Sequence, residues 1–376
     1  MGQSWQVINV DRREKGFADS GKLGEFFFSD LGSLYKSLHI PCLPKEVDKW
    51  LPGGTFAIQR QPIGELSTEV LDMIFEAILG TPKQASTNNF LTCMSLAIGC
   101  KRLLSVGKRH ILRALISRHA RAADCRIVCL GEYADKDDQA PPGMLTDAEV
   151  KELETTKMPY ERRQPTDEDL AGRCLYTFAS ELYKEQSYAV RKQNEPVYAF
   201  MERIGLVRRQ LLKAKPEDQD RDRAAALGRD LEMINTLACT GYYGPEPEYP
   251  AGPNVLCNMS KGECVREAAL AKLKSQWCTV TLAHALLSRI CYSPDPSMAM
   301  ACSDEVEKRL AKGPWAGDRF RIVSAKDMPQ LQGDREWKDV TGDVNRTLRH
   351  LWRENEGSDG EEGDGDEDGS EDSDED

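Results

Sequence analysis

LSTEVLDMIFEAIL, residues 66–79, and NNFLTCMSLAIGCKRLLSVGKRHILRALI, residues 88–116, are the stretches that divide this chain into parts. In the first, Leu66, Val70, Leu71, Ile74, Phe75, Ile78 and Leu79 recur at spacings of three and four, one apolar face at helical period. Ser67 or Thr68 can cap this helix, because a hydroxyl accepts from an early unpaired amide. Gly80-Thr81-Pro82 ends it, since proline cannot continue a helix. A polar loop, KQASTNN, leads to a second apolar run, Phe90 to Ile98, broken at Gly99. From Cys100 to His119 the pattern returns through Leu103, Leu104, Ile111, Leu112, Leu115 and Ile116. Three short helices are expected here.

Outward from this stretch the chain alternates strand-like and helix-like segments. Trp5–Val10 has β-type composition and is followed by the charged turn DRREKG. In GKLGEFFFSDLGSLYKSL, the residues Phe26, Phe27, Phe28, Leu31, Leu34 and Leu38 can form one helical face, whereas PCLPKEVDKWLPGG reads as loop. Cys125–Leu130 is a short strand candidate. Residues 132–170 are polar and proline-punctuated and read as an exposed insertion. Residues 171–214 hold two helix-like stretches; after them KPEDQDRDRAAALGRD reads as a solvated helix start and TGYYGPEPEYPAGPN as a loop. VLCNMSKGECVREAALAKL reads as strand, turn, strand and helix, GPWAGDRFRIV ends in a strand, and WKDVTGDVNRTLRHLW is a short helix. Val7–Glu14 echoes Leu256–Glu263: each puts Asn before a charged turn and Glu five residues later, as a common hairpin would. Taken by itself, the echo does not exceed chance similarity.

The 376 residues carry a formal charge of −12, but residues 354–376 hold 14 acidic side chains and no basic ones. Without them the charge is −12 + 14 = +2, so the body gives no general argument for nucleic-acid or membrane binding. The tail cannot offset its ordering entropy by burying a core, and disorder is expected for 353–376. Its Ser358, Ser370 and Ser373 sit in an acidic context suited to acidophilic kinases. Twelve cysteines are scattered without a C-x-x-C, most within apolar runs, so reduced thiols in a cytoplasmic or nuclear protein are expected. No apolar run approaches the roughly 20 residues of a membrane helix, and Gln6 stands where a myristoylation signal needs Ser or Thr.

No phosphate-binding loop, dinucleotide fingerprint, H-E-x-x-H or G-x-S-x-G occurs, so neither a catalytic residue nor a cofactor is indicated. His39, His110, His119, His284 and His350 have no partner at motif spacing and are read as structural or solvated. The best ligand-like constellation is Trp315-Ala316-Gly317-Asp318-Arg319-Phe320: Gly317 allows a tight turn, and Asp318 and Arg319 can hold a polar ligand beside Trp315. The preferred reading is a strand-entry turn in which Asp318 accepts from backbone amides. Lys101, Arg102, Lys108, Arg109, Arg113, Arg118, Arg121 and Arg126 form a basic run that could meet phosphates, but a solvated amphipathic face is preferred. A transient contact between that run and the acidic tail is the alternative to a tail that touches nothing, which is the preferred reading.

The three-helix stretch resembles an F-box. The family pattern Leu-Pro-x-Glu-hydrophobic-Leu-x-x-Ile-Phe stands here as Leu66-Ser67-Thr68-Glu69-Val70-Leu71-Asp72-Met73-Ile74-Phe75, with Ser67 in place of proline, and its later segment as Cys100-Lys101-Arg102-Leu103-Leu104. The flanks, MGQSWQVINVDRREKG, NMSKGECVR and GPWAGDRFRI, are similar to uncharacterised fungal F-box-like proteins and, more distantly, to uncharacterised bacterial and phage proteins. The resemblance implies an α+β fold: a mixed small sheet from the N- and C-terminal segments, with the F-box-like helices inserted. The implied divisions are 1–60 for the N-terminal part, 61–120 for the helices, 121–131 for a strand and 132–170 for a polar insertion. A helical and loop region at 171–254 and the C-terminal part at 255–352 follow, before the tail. It also implies an interaction protein, docking a Skp-type adaptor of a cullin ubiquitin ligase and presenting a protein substrate. Leu66, Val70, Ile74 and Phe75 would be the anchors, with Leu103 and Leu104 as support. The rival is a small-ligand-binding or enzymatic α+β domain whose site centres on Trp315, Asp318 and Arg319.

Overall fold

The computed structural model describes residues 2–17, 21–51, 62–80, 87–134, 138–156, 174–213, 218–241, 245–270, 278–333 and 335–355. The acidic tail beyond residue 355 lies outside them, as do 157–173 of the polar stretch. Among the described residues the fold is α+β, with helices around two small mixed sheets. No described helix is long and apolar enough to cross a membrane. All twelve cysteines are free thiols.

The first sheet runs β4-β2-β1-β3-β7, from Lys184–Glu185, Glu14–Lys15, Trp5–Asn9, Ile127–Gly131 and Cys291–Tyr292. In the second the order is β8-β5-β6-β9, from Phe320–Ser324, Asn254–Asn258, Glu263–Arg266 and Lys338–Asp339. β1 and β3 are buried along their whole length, since helices or the other sheet cover both faces. The helices are α1 Leu23–Phe27, α2 Gly32–Leu38, α3 Lys45–Trp50, α4 Pro62–Glu65, α5 Thr68–Leu79, α6 Thr87–Ile98 and α7 Lys101–His119. Then follow α8 Asp147–Thr155, α9 Leu175–Leu182, α10 Gln186–Leu211, α11 Asp218–Ala238, α12 Glu267–Leu270, α13 Leu282–Ile290, α14 Asp304–Ala311 and α15 Thr341–Asn355. The face foreseen over 21–38 is divided between α1 and α2, and part of the segment read as loop is α3.

The two sheets repeat one plan about a pseudo-twofold axis. Asn9 pairs with Glu14 across the β1–β2 hairpin as Asn258 pairs with Glu263 across β5–β6. β3 lies antiparallel to β1, with Val7 opposite Cys129; β8 lies antiparallel to β5, with Leu256 opposite Ile322. A short parallel strand flanks each hairpin: Lys184 opposite Glu14, and Lys338 opposite Glu263. On the other edge, the residues leaving α13 pair with β3 through Cys291 and Cys129, and those leaving α2 pair with β8 through His39 and Ile322. Each half therefore hands the segment leaving one helix to the edge of the other half's sheet. Near the axis Arg126 bridges Arg319, Asp124 N–H donates to the Phe320 carbonyl, and Gly317 N–H donates to that of Ile127. Left-handed backbone recurs at equivalent places: φ is +60° at Asp124 and +82° at Gly317, +54° at Arg13 and +71° at Gly262.

The echo between Val7–Glu14 and Leu256–Glu263 is thus a duplicated hairpin, a stronger relation than the eight residues support alone. In both copies the asparagine holds the turn. Asn9 Oδ1 accepts from Arg12 N–H at 3.1 Å, and Asn258 Oδ1 accepts from Ser260 and Lys261 N–H at 3.0 Å each. The glutamates are also alike: Glu14 pairs with Arg121, and Glu263 accepts from Trp315 Nε1 at 2.6 Å, each partner lying just before the third strand.

The main core lies between the sheets and α1, α2, α13 and α15, around Trp5, Phe26, Phe27, Leu286, Trp315 and Trp352. A second core belongs to the helical insert, where Phe75, Phe90, Met94, Leu104 and Ile111 pack with Val47 of α3, Val197 of α10 and Ile234 of α11. This core therefore draws on residues well outside 61–120. The stretch read as an exposed insertion also holds structure: Met144 and Leu153 are buried with Ile8, Val128 and Phe178.

Candidate docking surface

α5 begins where Ser67, at φ −64°, turns its hydroxyl back to accept from Val70 N–H at 3.4 Å. That φ is also the one proline fixes, so serine here keeps the start of the helix. Arg102 donates to the Leu66 carbonyl and ties the start of α7 to the start of α5. Leu71, Phe75 and Leu79 form the inner face of α5. Phe75 stacks on the His110 ring at 5.5 Å and sits so close to Gly107 that a Cβ there would meet its Cζ at 2.8 Å. Asp72 accepts from His110 Nε2 at 2.6 Å and pairs with Arg109. Burial holds His110 below the ordinary histidine range, with Arg113 and Arg109 adding to the effect.

The six residues expected to contact a partner separate into two groups. Phe75 has no exposed surface, and Leu103 and Leu104 are almost fully buried, Leu104 within the helical core. They hold the three helices together and cannot anchor a partner, which corrects their assignment as binding residues. Val70 is 41 % exposed, and Leu66 and Ile74 are half-buried. Met73, absent from that set, is 67 % exposed, and Ala77 is exposed as well. Val70, Met73, Ile74 and Ala77 lie at helical spacing and form one outward apolar stripe. Glu69 and Glu76 are exposed on the same helix.

Trp315, Asp318 and Arg319 are brought together but are occupied within the chain. Trp315 is fully buried, gives its indole N–H to Glu263 and lies under the Arg289 guanidinium at 4.6 Å. Asp318 accepts from Asn258 Nδ2 at 2.8 Å and lies 3.4 Å from Lys261 Nζ. Arg319 pairs with Asp11 at 2.7 Å and donates to the Asp124 carbonyl. This turn joins the two halves of the fold and offers no open ligand position, so its assignment as a ligand site is corrected too. It is a strand-entry turn, as preferred from sequence, although Asp318 accepts from side chains rather than from backbone amides.

Half of the basic run is similarly spent. Arg109 and Arg113 pair with Asp72 and Glu76 of α5, Arg121 with Glu14, and Arg126 with both Asp11 and Glu149. Only part of it is the solvated face expected, since Arg118 and Arg121 lie inside the fold. Among the described residues no cluster of histidine, cysteine and carboxylate side chains could hold a metal ion. A cavity of about 820 Å³ opens between α2, α7 and α10, where sequence reading marked no site as such. No family model matches the chain, and no curated protein or solved structure does either.

Proposed function

We propose that this chain is an F-box-type adaptor, which docks a Skp-type subunit of a cullin ubiquitin ligase through the outward face of α5 and carries a protein substrate on the rest of the molecule. The observation that carries the reading is the exposure of Val70 and Met73 on a helix whose opposite face is locked in the core. Large aliphatic side chains left at a surface in a row mark an interaction site more often than isolated ones do. An amphipathic helix presenting residues i, i+3, i+4 and i+7 fits a partner's apolar groove. Two further features support the reading. The segments 66–75 and 100–104, which carry the F-box-like pattern, meet through Arg102 and Leu66. Ser67 also starts the helix at the φ of the proline it replaces.

The test is coexpression with a Skp-type adaptor, followed by copurification of the complex. Val70→Asp/Met73→Asp changes only exposed positions, so the variant folds, and it is expected to lose the adaptor. Equal adaptor recovery with the wild-type chain and the double variant would reject this surface.

A further inference from the structure

The two halves differ at one helix interface that both possess, and there the cavity of about 820 Å³ opens. In the C-terminal half α15 packs on α13, and Val340, Val344, Leu348 and Trp352, one turn apart, are buried in the main core. The matching registers of β4 on β2 and β9 on β6 place Gln186, Val190, Asn194 and Tyr198 of α10 at the equivalent positions. These four residues line the cavity, and Ser33 and Ser37 of α2 face them. A helix interface that is packed shut in one half is therefore an open, more polar pocket in the other.

The backbone differs at the same point. Ser293 N–H donates to the Ala311 carbonyl, and Gly313 N–H to that of Cys291, closing the C-terminal half. The equivalent of Ser293 is Pro41, which has no N–H to give. The equivalents of Ala311 and Lys312 are Arg118 and His119, and both line the cavity.

Arg118 is only 7 % exposed. Its Nη2 donates to Asn194 Oδ1 at 2.7 Å and to the Gln193 carbonyl at 3.3 Å, and its guanidinium lies 4.4 Å from the centre of the Phe90 ring. Its Nε has no hydrogen-bond partner. Among the described residues no carboxylate forms an ion pair with it, and the neighbouring Arg121 is taken by Glu14. A buried cation without an anion is costly, and buried charges are ordinarily paired. The two carboxylates at the cavity are engaged elsewhere: Glu246 lies 3.6 Å from Lys36, and Glu195 lies 3.0 Å from Lys192. Burial, reinforced by Arg118, pulls His119 down to about 4, so its ring is neutral, and its Nε2 has no partner. Val190, Pro247 and Cys239 supply apolar wall.

We propose that this cavity is a binding site for a small organic acid, a single oxyanion carried on an apolar body, with Arg118 as the residue that receives the anion. Volume and lining suit a small molecule. The inference does not rest on the adaptor reading, since α5 is not part of the cavity. Calorimetric titration of the full chain with phenylacetate, phenyl phosphate and the neutral benzyl alcohol tests it. At least one of the acids is expected to bind with a dissociation constant of roughly 1 mM or tighter, and about tenfold or more tighter than the alcohol. The preferred acid tells carboxylate from phosphate. Arg118→Gln is expected to remove the preference for the acid. Asn194→Leu, which installs the residue α15 carries, is expected to abolish binding while leaving the circular dichroism spectrum unchanged. Should Arg118→Gln fail to fold, the acid-to-alcohol comparison and Asn194→Leu still decide. Failure of both acids to bind, equal affinity for the alcohol, or undiminished acid binding by folded Arg118→Gln would overturn the proposal.

Discussion

Phe75 and Met73 stand two residues apart on α5, and the structure gives them opposite tasks. Phe75 fills the helical core against His110 and Gly107, while Met73 projects into solvent. Gly107→Ala should therefore destabilise the protein: the added methyl meets Phe75 at 2.8 Å and the Ala97 Cβ at 3.1 Å. The cost of such overpacking, about 1–3 kcal/mol, outweighs the gain in helix propensity of up to ~1 kcal/mol. Chemical denaturation measures it, and a variant as stable as wild type would contradict the packing described. Removing the cap hydroxyl with Ser67→Ala should cost about 1 kcal/mol in the same assay, whereas Met73→Asp should stay within about 0.5 kcal/mol of wild type. The sequence showed the apolar face of this helix but not its edges. The nine apolar residues over 66–79, Met73 and Ala77 among them, make a stripe wide enough for both a core and a surface contact. Only the packing of α6 and α7 separates Phe75, Leu103 and Leu104 from Val70 and Met73.

At the scale of elements, α8 was the hardest to foresee. Its neighbourhood is polar and rich in proline, which is why residues 132–170 read as exposed, yet Thr146-Asp147-Ala148-Glu149 forms a capping box. Glu149 serves twice: it caps α8 and, at 2.7 Å, it holds Arg126, which also grips Asp11 at 2.6 Å. The Arg126 hydrogen bonds dominate and, with those from Thr146, hold the Glu149 carboxyl down to about 2 despite its partial burial. A carboxylate whose folded pKa is lowered contributes stability above its unfolded value and loses it as pH falls toward the folded one. Contact between α8 and the first sheet should therefore weaken below about pH 4.5. Glu149→Gln should produce the loosening already at pH 7, seen as faster hydrogen exchange over 147–155, with exchange in β1 and β3 little changed. Unaltered exchange in α8 would show that the Arg126 pair does not hold it. The hairpins, by contrast, were legible, because alternation and asparagine turns act within a dozen residues. The parallel edge pairings of β4, β7 and β9 were not, since they join segments more than a hundred residues apart or only two residues long.

For the whole molecule, the duplication was present in the sequence only as an asparagine and a glutamate at matched spacing. Register and dihedral angles survive where identity does not: Asp124 and Gly317, or Arg13 and Gly262, share a backbone conformation but no side chain. The cavity could not be read from sequence, because it is defined by what α10 lacks relative to α15. The histidines give the molecule a common acid response. Burial brings His39, His119 and His284 each to about 4, so each is neutral in the fold and charged in the unfolded chain below pH 6.5. Stability is therefore full above about pH 6.5 and falls as pH drops from there toward 4, by up to roughly 1.4 kcal/mol per pH unit for each histidine. A thermal midpoint that stays constant between pH 7 and 5 would contradict their burial. Direct titration of the purified 376-residue chain with a purified Skp-type adaptor tests the α5 surface. Wild type is expected to bind with a dissociation constant of about 1 μM or tighter, and Val70→Asp/Met73→Asp to weaken binding about a hundredfold or more with its unfolding midpoint preserved. No measurable binding by wild type, or equal affinities for the two chains, would contradict the account.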